Sequence, residues 1–202
     1  MEKTLFIIFL VCILLIFKYL TRSQVEYIEA FEGIKFLVRN LPDKKQASTT
    51  LYNIRKELIM FINTLVDEME SDKNHPYADK YYAFIKIIQK RLPNSIIKES
   101  SYTSKYTSYT VNKGEEIVFC LRSKVDDKIH SINNLMYVAI HEIAHVGCPE
   151  EGHTHLFHQI NKFLLIEAQK KGIYKYTDYK KIPVEYCGLK LDNTILDNNI
   201  LL

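Results

Sequence analysis

The feature that most constrains this chain is the pentapeptide HEIAH at residues 141–145. In an α-helix, residues four apart lie on one face, so His141 and His145 can bind the same metal ion. Solvated histidines also produce this pattern by chance, but residues 135–144 are apolar on nearly every side, which indicates a buried helix. Buried polar groups need partners, and a metal provides them. We therefore predict a metal site, with Glu142 placed to accept a proton from water.

A catalytic zinc site needs a third protein ligand and leaves the fourth position open. Three histidines follow within a short distance, His153, His155 and His158. The apolar spacing after them predicts a second helix that begins near His153 and presents this side chain to the metal from its first turn. His155 would then lie ~200° around the helix axis. We favour His153 as the third ligand and keep His155 as the alternative, whereas His158 faces neither metal nor core.

At these residues the chain resembles a known family. The HExxH motif at 141–145, followed by GHTxxF at 152–157, resembles the WLM and SprT-like group of zinc metallopeptidases. The resemblance implies Zn²⁺ as cofactor, with His141, His145 and His153 as metal ligands and Glu142 as catalytic base. His158 is a departure, because the wider group often has tryptophan there, which affects the neighbouring packing and leaves the ligands intact.

Four further blocks extend the resemblance. They are similar to uncharacterised proteins that are predicted to be metallopeptidases in large DNA viruses and some algae. The resemblance runs from about residue 33 to about residue 193, and the combination of blocks is more specific than HExxH alone. The blocks are residues 37–47, 108–115, 120–122 and 183–188.

The second prominent feature is the N-terminus. Residues 5–17 form an unbroken apolar run, extended to Leu20 if Lys18 directs its amine to lipid headgroups. A cleaved signal peptide is the alternative, but no small-residue cleavage site follows. We therefore predict a single transmembrane helix at 4–20, in a host or virion membrane if the protein is viral. Lys18 and Arg22 slightly favour a cytosolic catalytic domain.

Behind this anchor, we interpret residues 21–48 as a membrane-proximal segment and residues 49–202 as one α+β, zincin-like domain with a small mixed sheet. The strand at 116–122 is predicted to be the sheet edge that binds extended substrate, with an internal strand as the alternative. Hydrophobic spacing and turn residues predict the elements. The predicted helices are 50–69 and 77–92, besides the two around the histidines, and the predicted strands are 34–38, 95–99, 106–111 and 116–122.

Charge and cysteine content exclude other classes of site. With 27 basic and 24 acidic residues, the net charge of +3 predicts no dominant nucleic-acid surface. The four cysteines lack CxxC spacing, so we predict neither a zinc knuckle nor a disulfide framework. Cys148, close to the histidines, is interpreted as a buried apolar residue, with a redox-sensitive neighbour of the metal as the alternative. Tyr179 and Tyr186 in the tail are candidate donors to a developing oxyanion.

Three functional hypotheses follow. The first is a membrane-anchored zinc endopeptidase that acts on protein or peptide substrates. The second, implied by the WLM and SprT-like resemblance, is a DNA–protein crosslink protease, and the anchor and balanced charge argue against it. The third is an inactive zinc-binding structural protein of a virion or membrane, which would have no need of Glu142. The sequence predicts neither the cleavage preference nor the oligomeric state.

Overall fold

The structure is a computed structural model that describes residues 2–20, 24–72 and 75–193, with the side chains of the first helix described only at 7–16. Residues 21–23 and 194–202, assigned above to the membrane-proximal segment and the end of the catalytic domain, lie outside the described residues. The predicted anchor at 4–20 falls within a helix, α1. Among the described residues, no helix combines the length and hydropathy required to cross a membrane, so a transmembrane helix is not supported.

Five α-helices and seven strands are present in the described part of the chain. The four helices after the first carry an apolar face that packs into the core. The sequence spacing predicts this for the long second helix, which starts at Lys44, earlier than expected. A short 3₁₀ turn, Leu92–Asn94, follows the third helix. The helices are α1 (Glu2–Leu20), α2 (Lys44–Ser71), α3 (Ala78–Arg91), α4 (Ile132–Gly147) and α5 (His155–Lys170).

The strands form a five-stranded mixed sheet and a separate two-stranded hairpin. The sheet order is β1-β2-β3-β5-β4, with β2, β3 and β5 parallel to each other and the two outer strands antiparallel to their neighbours. The predicted α+β class with a mixed sheet is confirmed. The strands are β1 (Val25–Glu29), β2 (Lys35–Arg39), β3 (Ile96–Glu99), β4 (Tyr109–Val111), β5 (Glu116–Phe119), β6 (Val184–Tyr186) and β7 (Leu189–Leu191).

The structure corrects one sequence prediction about the sheet and adds a strand that was not predicted. The edge strand beside the predicted cleft is β4, not the strand predicted at 116–122, because β5 lies between β3 and β4 and is buried at Ile117, Val118 and Phe119. The segment at 21–48 was interpreted as a membrane-proximal segment and connection, with a strand predicted at 34–38. Strand β2 corresponds to that prediction, and its Val38 is fully buried in the core, whereas β1 was not predicted.

The cysteine spacing also predicted no disulfide framework. This prediction is wrong, because one pair of cysteines is bonded. Cys120, which follows β5, is bonded to Cys187 in the turn between β6 and β7. The two residues are 67 positions apart in sequence, so the pairing depends on the tail folding back over the sheet. The hairpin β6–β7 is thereby attached next to the end of the central sheet, where it forms one wall of the site described below.

Candidate metal centre

Helix α4 carries the first two histidines and is well defined at both ends. Ser131 caps its start, accepting a hydrogen bond from the Asn134 amide at 3.3 Å. At its end, Gly147 lies so close to α3 that a Cβ atom there would be 2.8 Å from Ile88. The helix is almost wholly buried between these points, as its apolar sequence predicts. Beyond the first turn, His141 and His145 are the half-buried exceptions, and they face a cavity.

Three imidazoles converge on this cavity. The Nε2 atom of His153 lies 3.0 Å from Nε2 of His141 and 3.2 Å from Nε2 of His145. Nitrogens that share one tetrahedral zinc at ~2.0–2.1 Å are ~3.3 Å apart, so the spacing fits a zinc site. Among the described residues these three form the group able to hold a metal ion. The structure thus brings together the three predicted ligands, whereas metal binding itself stays a prediction.

The way in which His153 reaches the cluster differs from the prediction. Helix α5 begins at His155 rather than near His153, and Thr154 is its N-cap, accepting a hydrogen bond from the Phe157 amide at 3.3 Å. His153 therefore extends from the loop that joins the two helices. Gly152, with φ +76°, allows this loop to turn back toward α4. His155 is exposed on the first turn of α5 and lies outside the cluster, and His158 is exposed as well.

A buried aromatic ring supports the three imidazoles. Phe157 is fully buried, stacks on His145 with ring centroids 4.1 Å apart, and lies 4.9 Å from the rings of both His141 and His153. Burial, followed by the neighbouring imidazoles, lowers the pKa of His141 to about 3. Burial also lowers the pKa of His145 to about 4, and it lowers the pKa of His153 as well. Neutral imidazole at pH 7 is the form that binds a metal.

Glu142 lies beside the cluster and is held from the edge strand. Its side chain is buried, and the Thr110 hydroxyl of β4 lies 2.8 Å from Oε2 and 3.1 Å from the Glu142 carbonyl oxygen. Burial raises the pKa of Glu142 to about 7, while the hydrogen bond from Thr110 opposes that shift. A carboxyl group with such a pKa is well suited to accept and return a proton near neutrality.

The cluster opens into a cavity of about 1050 Å³. Of the two candidate tyrosines, Tyr186 lines this cavity and its hydroxyl is 2.7 Å from that of Ser108. Tyr179 is fully buried elsewhere and donates to Asn134 at 3.1 Å. Cys148, just after α4, is buried and free, in keeping with its interpretation as an apolar core residue. Thr110 was not predicted as a site residue, because it comes from a distant strand and is not part of the HExxH motif.

Viral proteins of unassigned function are similar to the chain. It is 38% identical over 177 residues, 87% of either chain, to Uncharacterized protein R325 of Acanthamoeba polyphaga mimivirus. It is 34% identical over 115 residues to Uncharacterized protein 136R of Invertebrate iridescent virus 6, covering 56% of this chain and 61% of the relative. Uncharacterized protein 042R of Invertebrate iridescent virus 3 is 40% identical over 82 residues, covering 41% of this chain and 50% of that protein.

No protein-family model matches the chain. Among solved structures, Wss1 from Saccharomyces cerevisiae matches with a TM-score of 0.35 at 16% identity, over 44% of this chain and 76% of Wss1. A Wss1 mutant from the same yeast matches with a TM-score of 0.34 at 18% identity, over 51% of this chain and 91% of the mutant chain.

Proposed function

Because this chain belongs to the family of uncharacterised viral proteins that includes R325 of Acanthamoeba polyphaga mimivirus, whose names state no activity, we propose its function from its own site. The function is zinc-dependent hydrolysis of peptide bonds. The observation that supports it is the combination of three converging histidines with the buried Glu142 next to them in an open cavity. A purely structural zinc site has no use for such a carboxylate.

The mechanism assigns a role to each of these groups. His141, His145 and His153 would hold the zinc ion, and their set of three nitrogens leaves a fourth position free for chemistry. When bound, zinc supplies Lewis acidity, which lowers the pKa of water and polarises a carbonyl group. Glu142 takes the proton from the attacking water and delivers it to the amine that leaves. Overall, one water molecule is consumed: its hydroxyl group adds to the carbonyl carbon and its hydrogen adds to the amide nitrogen as the C–N bond breaks.

Thr110 orients the base. Its hydroxyl donates to one oxygen of Glu142, so the other carboxylate oxygen is left to face the cavity. The same strand, β4, is one of the two edges of the sheet and lines the cavity. An extended peptide can therefore pair with β4 and pass over the histidines. Such pairing uses hydrogen bonds to the peptide backbone and therefore requires little of the peptide sequence.

The test is metal content together with hydrolysis. We expect the purified chain to contain about one zinc per molecule and to cleave an unstructured protein such as casein. Glu142→Gln should retain zinc and lose cleavage, because Glu142 acts as a base and not as a ligand. Glu57→Gln, a substitution at an exposed position on α2, is the matched control and should keep both the zinc content and the cleavage of the wild type. Full cleavage by Glu142→Gln, or zinc-independent cleavage, would overturn the proposal.

We also propose that α1 attaches the domain to a membrane. Residues 7–16 are all apolar and all exposed, so lipid is a suitable environment for them. The test is flotation of the whole chain with phospholipid vesicles. Leu10→Asp with Leu14→Asp should abolish flotation and leave zinc content unchanged, and flotation of this double variant would contradict membrane attachment by α1.

A further inference from the structure

The third histidine of the cluster is held differently from the first two. His141 and His145 extend from helix α4, which is buried over most of its length. His153 extends from the loop at 148–154 that joins α4 to α5, and residues 149–153 are all exposed. Packing against the core therefore contributes little to the position of the third ligand, and another restraint is needed to direct it at the cluster.

Lys113, in the turn between β4 and β5, supplies a contact to this loop. Its amine donates to the Glu150 carbonyl oxygen at 2.5 Å and forms an ion pair with the Glu151 carboxylate at 3.2 Å. The Glu151 side chain is 91% exposed, so the ion pair contributes little. The charge-assisted hydrogen bond to the backbone carbonyl is the stronger restraint, and it acts three residues before His153.

The backbone beneath Lys113 is itself fixed against α4. Gly114 lies so close to the helix that a Cβ atom there would be 2.9 Å from the Val146 side chain. The Ser95 hydroxyl donates to the Gly114 carbonyl oxygen at 2.5 Å. The Arg91 guanidinium donates to the carbonyl oxygens of Lys113 at 3.3 Å and Val146 at 3.4 Å. Lys113 therefore extends to the loop from a base that is attached to the helix of the first two ligands.

The backbone conformation of Lys113 is unusual for a lysine. The φ angles are +47° at Asn112 and +55° at Lys113, and the Gly114 amide donates to the Val111 carbonyl oxygen at 3.0 Å. In hairpin turns with two positive φ angles, glycine is favoured at the second position. A lysine in this conformation carries a cost in free energy. The hydrogen bond to the ligand loop is an interaction that glycine could not make.

We propose that Lys113 is a positioning residue for the metal centre. Its amine holds the loop at 148–154 in place, so that His153 is directed at the other two histidines before a metal ion binds. A loop that is already ordered loses less conformational entropy when its ligand binds the metal, which raises the affinity. The proposal rests on the metal centre of the proposed function and does not depend on peptide hydrolysis.

The positive charge of Lys113 and its hydrogen bond to the loop have opposite effects on zinc. Lys113 lines the same cavity as the three histidines, so repulsion between like charges opposes a bound cation. Removal of the charge alone would therefore strengthen zinc binding, whereas removal of the hydrogen bond weakens it. The direction of the change in affinity distinguishes a positioning role from a simple effect of charge.

Three variants of Lys113 separate these contributions. Lys113→Met removes the amine and keeps an unbranched apolar side chain. Lys113→Gly removes the amine and suits the positive φ angle, so the turn itself is retained. Lys113→Arg restores a cationic donor. Lys45→Met is the matched control, because the Lys45 amine also donates to loop carbonyl oxygens, those of Glu29 at 2.5 Å and Ala30 at 3.0 Å, and does not line the cavity.

Two measurements are made on the whole chain. Competition with a fluorescent chelator gives the affinity for zinc, and the absorption spectrum of the Co²⁺-loaded chain reports the number and geometry of the metal ligands. We expect Lys113→Met and Lys113→Gly to bind zinc about 10- to 100-fold more weakly than the wild type and to alter the cobalt spectrum. Lys113→Arg should restore most of the affinity, and Lys45→Met should retain both properties. Melting temperatures measured in EDTA should be equal for Lys113→Gly and the wild type.

Unchanged or tighter zinc binding by both Lys113→Met and Lys113→Gly would overturn the positioning role. An equal loss of affinity in Lys45→Met would overturn it as well, since the effect would then be one of general stability. Weaker zinc binding by the two Lys113 variants, together with a wild-type chain that cleaves no protein, supports the positioning role and contradicts the proposed function. Cleavage by the wild type with unchanged zinc affinity in these variants has the reverse meaning.

Discussion

The side-chain amide of Asn161 lies 3.3 Å from Nδ1 of His141, on the opposite side of the ring from the nitrogen that faces His153. Asn161 is fully buried on α5, and no described residue forms a hydrogen bond with its Oδ1 atom. A metal on Nε2 requires the proton on Nδ1, and the two ends of an asparagine amide exchange by rotation. Asn161 can thus accept from Nδ1–H and fix the tautomer of His141 that binds metal.

This relationship predicts a loss of metal affinity when Asn161 is changed. Asn161→Leu should weaken zinc binding about 10- to 100-fold, measured by competition with a chelator, because the outer partner of His141 is removed. Asn161→Asp should retain affinity, since a carboxylate also accepts from Nδ1–H. Asn134→Leu is the control for loss of a buried asparagine away from the cluster. Equal affinity of the Asn161→Leu variant and the wild type would contradict this role.

Much of the site could be predicted because its signals are local. The spacing of His141 and His145 defines a helix face, and His153 follows after one short loop. The predicted geometry of His153 was nevertheless wrong, because a helix starting near 153 was expected and α5 begins at His155, with Thr154 as its N-cap.

Contacts between distant segments could not be predicted in the same way. The apolar run at 116–122 was interpreted as an edge, yet apolar residues on both faces are typical of an internal strand, and the true edge at Tyr109–Val111 is more polar. The Cys120–Cys187 bond spans 67 residues, and sequence spacing has no information on such a pairing. Thr110 and Asn161 approach the motif only after the sheet and α5 have packed against α4.

The disulfide predicts a stability that depends on redox conditions. Cys187→Ser should lower the free energy of unfolding by about 2–5 kcal/mol, because the bond constrains a long loop in the unfolded chain. Urea denaturation with and without a reducing agent measures the effect, and the reductant should destabilise the wild type but not the variant. Cys12→Ser is the control, since Cys12 is free and lies outside the domain core. Identical curves for Cys187→Ser and the wild type would show that the tail hairpin is held without the bond.

His130 predicts a dependence of stability on pH. Burial lowers its pKa, against the opposing influence of Glu185, and its Nε2 accepts from the Cys187 amide at 3.3 Å. Because the folded pKa lies below the unfolded value of ~6.5, this contribution is complete above ~6.5 and declines as pH falls toward the folded pKa. The melting temperature should therefore fall between pH 7 and pH 5 less steeply in His130→Gln than in the wild type. Parallel curves would contradict the assignment.

Tyr186 predicts an effect on turnover alone. Tyr186 lines the cavity, and burial raises the pKa of its hydroxyl, which therefore remains a proton donor at neutral pH. Under the proposed function, Tyr186→Phe should reduce kcat roughly a hundredfold, as expected for loss of one donor to a developing oxyanion, with zinc content unchanged. Tyr179→Phe removes a hydroxyl that bonds Asn134 outside the cavity and should retain kcat. Equal loss in both variants would indicate a structural effect.

The third ligand gives the most direct contrast, because His153 and His155 are two residues apart and differ in direction. His153 points to His141 and His145 from the loop, whereas His155 is exposed on α5. His153→Ala should lose zinc and should no longer be stabilised by added zinc, since metal binding contributes directly to folding free energy. His155→Ala should retain zinc and change stability by no more than ~0.5 kcal/mol. Metal analysis and thermal denaturation with and without zinc measure both. If His155→Ala released zinc while His153→Ala retained it, α5 would have to begin later than Thr154 allows, and the site described above would be wrong at its third ligand.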